Sequence, residues 1–412
     1  MKKFDIPNHY KSSIIAEIKK IRIKKDPRKK DYNPTILDFG PVCFYVARHF
    51  GFCYGVENAI ELAYKIIREH PARRIYLLSE IIHNPSVNQD LSERGVKFIM
   101  DTSGKMLIDW DELEPKDIVI IPAFGTTIEI ENTLNNIGIN PYKYNTTCPF
   151  VEKVWNRASS LGTNNFTVII HGKHYHEETR ATFSHSKESA PSLVVRNLEE
   201  TKILSKIILG EIDNSEFYKF FDGKFSDNFN ATEHLDMLGV VNQTTMLSSE
   251  TEGIADLLKQ TMIKKYGVEN LAKHYADTRD TLCYATNDNQ DATYDLLNYE
   301  ADFAIVIGGY NSSNTTHIVE LLEKKFKTYF ISSPEKIISK KQIYYFDIHN
   351  KTELLSENYL LNKDKIKIVL TSGASCPDSK VDEVINKLLS FFERKRSYRE
   401  ILTNLEKTYS IN

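Results

Sequence analysis

The chain reads as an α/β protein of mostly parallel sheets joined by crossover helices, and three observations carry that reading. Short apolar runs recur at 42–46, 75–82, 118–121, 166–170, 237–241, 303–307 and 366–370. Helical periodicity separates them, as it does in βαβ units. The residues just after each run are small, polar or titratable, and ligands of parallel sheets bind outside the carboxyl ends of the strands.

Taken in order, residues 1–41 form a basic N-terminal extension. Lys19-Lys20-Ile21-Arg22-Ile23-Lys24-Lys25 and Arg28-Lys29-Lys30 put many charges of one sign together. Such a stretch offers little to pack, so it is expected as a solvated helix. Residues 42–147 read as a first α/β module. Its run 42–46 leads into Arg48-His49-Phe50-Gly51-Phe52-Cys53-Tyr54-Gly55, then a helix at 55–69 with Val56, Ala59, Ile60, Ala63 and Ile66 on one face. The next runs lead to His83-Asn84 and to Ala123-Phe124-Gly125-Thr126-Thr127.

Residues 148–283 read as a second module, with an insertion near 204–235 that is aromatic and acidic and has no clear period. It opens on Thr146-Thr147-Cys148-Pro149, with proline in a first helical turn where it is tolerated. Its runs lead to His171-Gly172-Lys173-His174-Tyr175-His176-Glu177-Glu178-Thr179 and to Asn242-Gln243-Thr244-Thr245. A helix at 249–264 carries a capping box of Ser249 and Glu252. The third module, 284–390, comes after Thr281-Leu282-Cys283 and holds a helix at 289–297. Its strands lead to Asn311-Ser312-Ser313-Asn314 and Ser372-Gly373-Ala374-Ser375-Cys376, and 391–412 is a tail.

The 412 residues are 41% hydrophobic and 26% charged with a net charge of −3, so no global field favours nucleic acid or a membrane surface. No apolar run approaches the roughly 18 residues of a membrane span. Five scattered cysteines, Cys43, Cys53, Cys148, Cys283 and Cys376, are an odd count. Without a secretory signal this points to a reducing, cytoplasmic setting, with metal or catalytic roles ahead of disulfides.

Cys53, Cys148 and Cys283 each precede a helix, where the macrodipole favours thiolate. Three thiolates suit an iron–sulfur cluster or zinc. Neither CxxC nor the ferredoxin spacing is present, so spacing alone leaves three unrelated core cysteines open. The 311–314 run offers an anion site from helix-start N–H groups and short donors, with simple helix capping as the alternative. Paired serines and a second Gly-Ala-Ser strand end tilt it toward phosphate. His83, His176, Glu178 and Thr244 supply charge-assisted bonds and proton transfer, and Glu178 is the stronger acid candidate. No GxGxxG comes after a strand, so direct use of a nicotinamide is not expected.

Together these segments resemble the 4-hydroxy-3-methylbut-2-enyl diphosphate reductases, in the same order from about 42 to 390. The carriers are Gly51-Phe52-Cys53-Tyr54-Gly55, Ile82-His83-Asn84-Pro85, Thr147-Cys148-Pro149, His176-Glu177-Glu178-Thr179, Asn242-Gln243-Thr244-Thr245, Cys283-Tyr284-Ala285-Thr286, 311–314 and 371–375. Pro122-Ala123-Phe124-Gly125 and His171-Gly172-Lys173 resemble the subgroup of plants and cyanobacteria. The resemblance implies a trefoil of three α/β modules around a central [4Fe–4S] cluster. Cys53, Cys148 and Cys283 would hold three irons, leaving the fourth open to the substrate hydroxyl.

The implied reaction is the last step of the non-mevalonate isoprenoid pathway. It is the two-electron, two-proton dehydroxylation of (E)-4-hydroxy-3-methylbut-2-enyl diphosphate to isopentenyl and dimethylallyl diphosphates. Ferredoxin or flavodoxin would donate the electrons. Glu178 matches the proton donor and Thr244 the residue that orients the hydroxyl. His83, His176, Ser312, Ser313, Asn314 and Ser375 match diphosphate contacts, and Gly51 and Gly55 read as room for the cluster. Phe124 stands where many members carry a third diphosphate histidine, with Thr126, Thr127 or a lysine as candidate substitutes; Cys376 reads as a buried filler. Two other readings are a non-redox hydro-lyase using the same open iron and a nucleic-acid or scaffold protein acting through residues 1–40.

Overall fold

The strands Val42–Val46 and Phe303–Ile307 are buried along their whole length, which is what a parallel sheet covered on both faces requires. The computed structural model describes residues 4–278, 281–360, 363–393 and 395–410. Two units divide the chain: Met1–Glu57, His83–Val87 and Tyr284–Asn412 form one, Asn58–Ile82 and Asn88–Cys283 the other.

The first unit carries a five-stranded sheet in the order Thr35–Asp38, Val42–Val46, Ile366–Ser372, Phe303–Ile307, Thr328–Ile331. The Thr35–Asp38 strand is antiparallel to its neighbour, and all other pairs are parallel. The segment Phe303–Ile307, its following helix Ser313–Glu323 and Thr328–Ile331 form one βαβ unit. An antiparallel hairpin, Gln342–Asp347 with Thr352–Glu357, is added to this unit. The run 42–46 therefore shares a sheet with strands from the far end of the chain. The strands Lys97–Phe98, Ile75–Leu77 and Ile118–Ile120 make a separate parallel sheet in the other unit. The expected 42–147 module spans both sheets, because chain order carries no sign of sheet membership.

The basic N-terminal stretch is not the solvated extension expected. Its helix, Ser13–Lys25, is capped by Ser12 and packs against the helices Asp378–Leu389 and Tyr398–Ser410. Ile15, Ile18 and Ile21 are buried in the same cluster as Phe44, Val384 and Leu405. Arg22 is 2% exposed and donates to Tyr409 Oη at 2.7 Å, Asn33 O at 2.9 Å and Asp31 Oδ2 at 3.0 Å. Lys19 pairs with Asp378 at 2.7 Å. Every third residue is apolar, and the lysines between them hid that stripe. Arg22→Ala is expected to cost about 2–4 kcal/mol, because it empties the space of a buried guanidinium and removes its bonds to three partly exposed acceptors; urea denaturation measures it. Deleting residues 1–40 is expected to destroy cooperative melting, the opposite of what a dispensable nucleic-acid arm predicts.

The second unit has a further four-stranded parallel sheet, Ser192–Val195, Thr167–His171, Leu238–Asn242, Tyr275–Ala276. The insertion has a physical purpose. Phe217, Phe221 and Phe229 are buried with Leu193, Leu204 and Ile254, and the Phe217 and Phe229 rings stack at 5.0 Å. The helix expected at 249–264 runs Ser248–Tyr266 with Leu247 at its N-cap and no side-chain cap. The Ser249–Glu252 box does not form, because the helix begins two residues before the box needs it to.

Candidate functional site

In the first unit, three neighbouring parallel strands end on one edge, so their following loops share it. Ser312 caps the Ser313–Glu323 helix and accepts from the Thr315 N–H at 3.3 Å. Asn314 Oδ1 accepts from Ala374 N at 3.0 Å and from Asn289 Nδ2 at 3.3 Å, which joins the loop after Phe303–Ile307 to the loop after Ile366–Ser372. Ser375 Oγ donates to the His83 carbonyl at 3.0 Å, and Asn84 Nδ2 donates to the Ser375 carbonyl at 2.7 Å. A Cβ on Gly309 would strike the His83 carbonyl, so glycine there lets the His83 segment dock. His83, Ser312, Ser313, Asn314 and Ser375 are thus one buried cluster.

The donors of that cluster are not all used. Ser313 Oγ and Asn314 Nδ2 are buried without a hydrogen-bond partner among the described residues, as is Thr371 Oγ1. A buried donor left unpaired costs about 1–3 kcal/mol. Hydroxyl and amide donors in the first turn of a helix suit an oxyanion. Asn289 and Thr315 support the cluster and were not singled out from sequence, because inside a helix Asn and Thr carry no signal of their own.

In the second unit, Glu178 lies in the first turn of the Glu177–Lys187 helix and is 2% exposed. Its Oε1 accepts from the Thr244 N–H at 2.5 Å. His176 caps the same helix, its Nδ1 accepting from Glu178 N at 3.2 Å, which puts the ring proton on Nε2. The Thr244 carbonyl accepts from Cys283 N at 3.2 Å. Gln243, wholly buried, holds the two strand ends together by accepting from Thr179 Oγ1 at 3.0 Å and Lys173 N at 3.2 Å. Phe124 packs edge-on against the His176 ring at 5.9 Å, and Thr127 is spent as the cap of the Ile128–Ile137 helix.

The three cysteines are held alike. Cys53 N donates to Ala374 O at 3.1 Å, Cys148 N to Ala123 O at 2.9 Å and Cys283 N to Thr244 O at 3.2 Å. Each acceptor lies just past the end of a parallel strand, and each cysteine directly precedes a helix. All five cysteines are free thiols; these three are half-exposed, whereas Cys43 and Cys376 are buried. Burial pushes the Cys148 thiol up to about 11, with Cys283 and Glu178 adding to the shift against backbone N–H groups of Phe150 and Val151. Desolvation therefore outweighs the helix end at Cys148, and a bound metal would be needed to make it a thiolate. Burial likewise pushes Cys376 up to about 12. No three His, Cys, Asp or Glu among the described residues form a single-ion site. Within the second unit Cys148 and Cys283 interact electrostatically, and soft thiols at such joints suit an iron–sulfur centre, in which each thiolate takes its own iron. The space beside Gly51 is not left for a cluster: its φ is 86° and an added Cβ would meet the Asp378 carboxylate paired with Lys19.

These features define an α/β protein with an oxyanion cradle, a buried carboxylate and thiols offered at strand-to-helix joints. The chain belongs to the LytB protein family, which matches residues 44–389. It is 40% identical over 385 residues to the 4-hydroxy-3-methylbut-2-enyl diphosphate reductase of Microcystis aeruginosa, covering 93% of this chain and 90% of that protein. It is 42% identical over 346 residues to the reductase of the same name from Prochlorococcus marinus, covering 84% of each. The E-1-hydroxy-2-methyl-but-2-enyl-4-diphosphate reductase structure from Plasmodium falciparum shares the fold, with a TM-score of 0.59 at 20% identity over 89% of this chain and 98% of that one. The family expected from the sequence motifs and the α/β fold with mostly parallel sheets are both found.

Proposed function

We propose that the chain reductively dehydroxylates (E)-4-hydroxy-3-methylbut-2-enyl diphosphate to isopentenyl and dimethylallyl diphosphates, consuming two electrons and two protons and releasing water. The observation that carries this reading is Thr244, whose N–H binds the Glu178 carboxylate while its carbonyl binds the Cys283 N–H. One backbone residue thus fixes a proton donor relative to a metal-ligand candidate. Ser312, Ser313 and Asn314, with His83, donate to the diphosphate, Ser375 Oγ joins them by turning its one hydroxyl proton from the His83 carbonyl to the ligand, and His176 adds its Nε2–H. Glu178 in its acid form supplies the proton, and the Thr244 hydroxyl orients the hydroxyl that leaves. Thiolates of Cys53, Cys148 and Cys283 would hold a [4Fe–4S] cluster, which when bound supplies an open Lewis-acid iron and a path for electrons.

The donor we propose is ferredoxin or flavodoxin, and the setting the cytoplasm, which the five free thiols support. No helix among the described residues is long and apolar enough to cross a membrane. The test is anaerobic purification, iron and sulfide analysis, and turnover of the allylic diphosphate with dithionite and a viologen. Both diphosphate products should appear only with reductant. Turnover without reductant would instead establish the hydro-lyase reading. Asn314→Ala should weaken diphosphate binding about tenfold or more, the loss of a donor to a charged group, with iron content unchanged; isothermal titration measures it.

A further inference from the structure

The first unit contains a second polar cavity, of about 140 Å³, walled by Lys19, Lys29, Arg48, His49, Cys53 and Asp288 among others. That is well above the roughly 10–15 Å³ one water needs. Arg48 comes just after the Val42–Val46 strand, is 5% exposed, and its Nε and Nη2 have no hydrogen-bond partner among the described residues. His49, 9% exposed, leaves Nε2 without one as well. The facing acids do not meet this need. Asp26 Oδ2 is 3.8 Å from Arg48 Nη2 and Asp288 Oδ2 is 3.8 Å from His49 Nδ1, both beyond hydrogen-bond range, and Asp378 is engaged by Lys19 at 2.7 Å. Lys29 stands at φ 54°, a left-handed conformation that costs a non-glycine residue about 1–2 kcal/mol, and it lines the cavity. Burial, then the neighbouring Arg48, depresses the Lys29 amine.

We infer that this cavity is a binding site for a small phosphate-class oxyanion, taken by the Arg48 guanidinium with Lys29, next to the Cys53 joint. Buried guanidinium N–H groups with no acceptor are costly, and a planar donor fork matches an oxyanion in two places at once. The site uses charged donors, whereas the Ser312–Ser313–Asn314 cradle has none. An anion here relieves the mutual repulsion of Lys19, Lys29 and Arg48.

The test uses the full chain, purified anaerobically, with Asn314→Ala in all samples to weaken the cradle. Inorganic phosphate and inorganic diphosphate are titrated separately by calorimetry. One binding event should remain, and Arg48→Gln should weaken it at least about tenfold. Lys29→Gly should weaken it too, and because glycine suits the positive φ this variant keeps the fold. Binding of phosphate identifies the free ion as the source; binding of diphosphate alone identifies the diphosphate end of a larger molecule. Absence of binding, or binding that neither variant weakens in a protein of unchanged melting temperature, overturns the assignment.

Discussion

Cys148→Ser protein, purified without oxygen, is expected to lose most of its iron and sulfide and to turn over at less than about one-hundredth of the native rate. Removing a partner of a ligand already costs about 10–100-fold in affinity or activity, and a missing ligand costs more. Serine keeps the size and the backbone bond to Ala123 O, so the loss reports chemistry and not collapse. Cys376→Ala is the control. That thiol is fully buried and pushed up to about 12 by desolvation, so it offers no thiolate near neutral pH, and its removal should leave iron content as it was. Iron and sulfide analysis with visible absorption reads both variants. Full iron and full turnover in Cys148→Ser would remove this cysteine from the ligand set.

Why the sequence showed some of this and hid the rest comes down to which interactions are local. The strand runs are continuous Val, Ile and Phe because both faces are buried, and the loops after them are polar because they line an edge; both signals sit in the chain itself. Glu178, Thr244 and the 312–314 run all lie in segments that come after such strands. How their supports act was not legible in the chain. Gln243 acts by accepting from residues 64 and 70 positions away, and Asn289 acts on Asn314 from another helix. Arg22 looked like one charge among many until the Tyr398–Ser410 helix supplied Tyr409 as its partner. The aromatic insertion lacked a period because its phenylalanines come from short helices and the turns between them, and not from one amphipathic face. At Phe124 the sequence showed the missing histidine but not its consequence, which is an aromatic edge placed against His176.

Glu178→Gln separates proton supply from architecture. The amide keeps the size of the carboxyl group, and its Oε1 still accepts the Thr244 N–H, so the link from Thr244 to Cys283 is preserved. Iron content and affinity for the diphosphate are therefore expected to stay close to native. What the amide lacks is a proton to give, and at 2% exposure the position is poorly served by bulk water. Turnover should fall about 10²–10⁴-fold, the range general acids contribute. Glu178→Ala makes the contrast, because it removes the acceptor as well and leaves the Thr244 N–H buried and unpaired, adding about 1–3 kcal/mol of instability. If the glutamine variant turned over normally while the alanine variant failed, Glu178 would be a backbone clamp for Thr244 and the proton would have to come from elsewhere. If both lose turnover but only alanine loses stability, the carboxyl group serves both purposes.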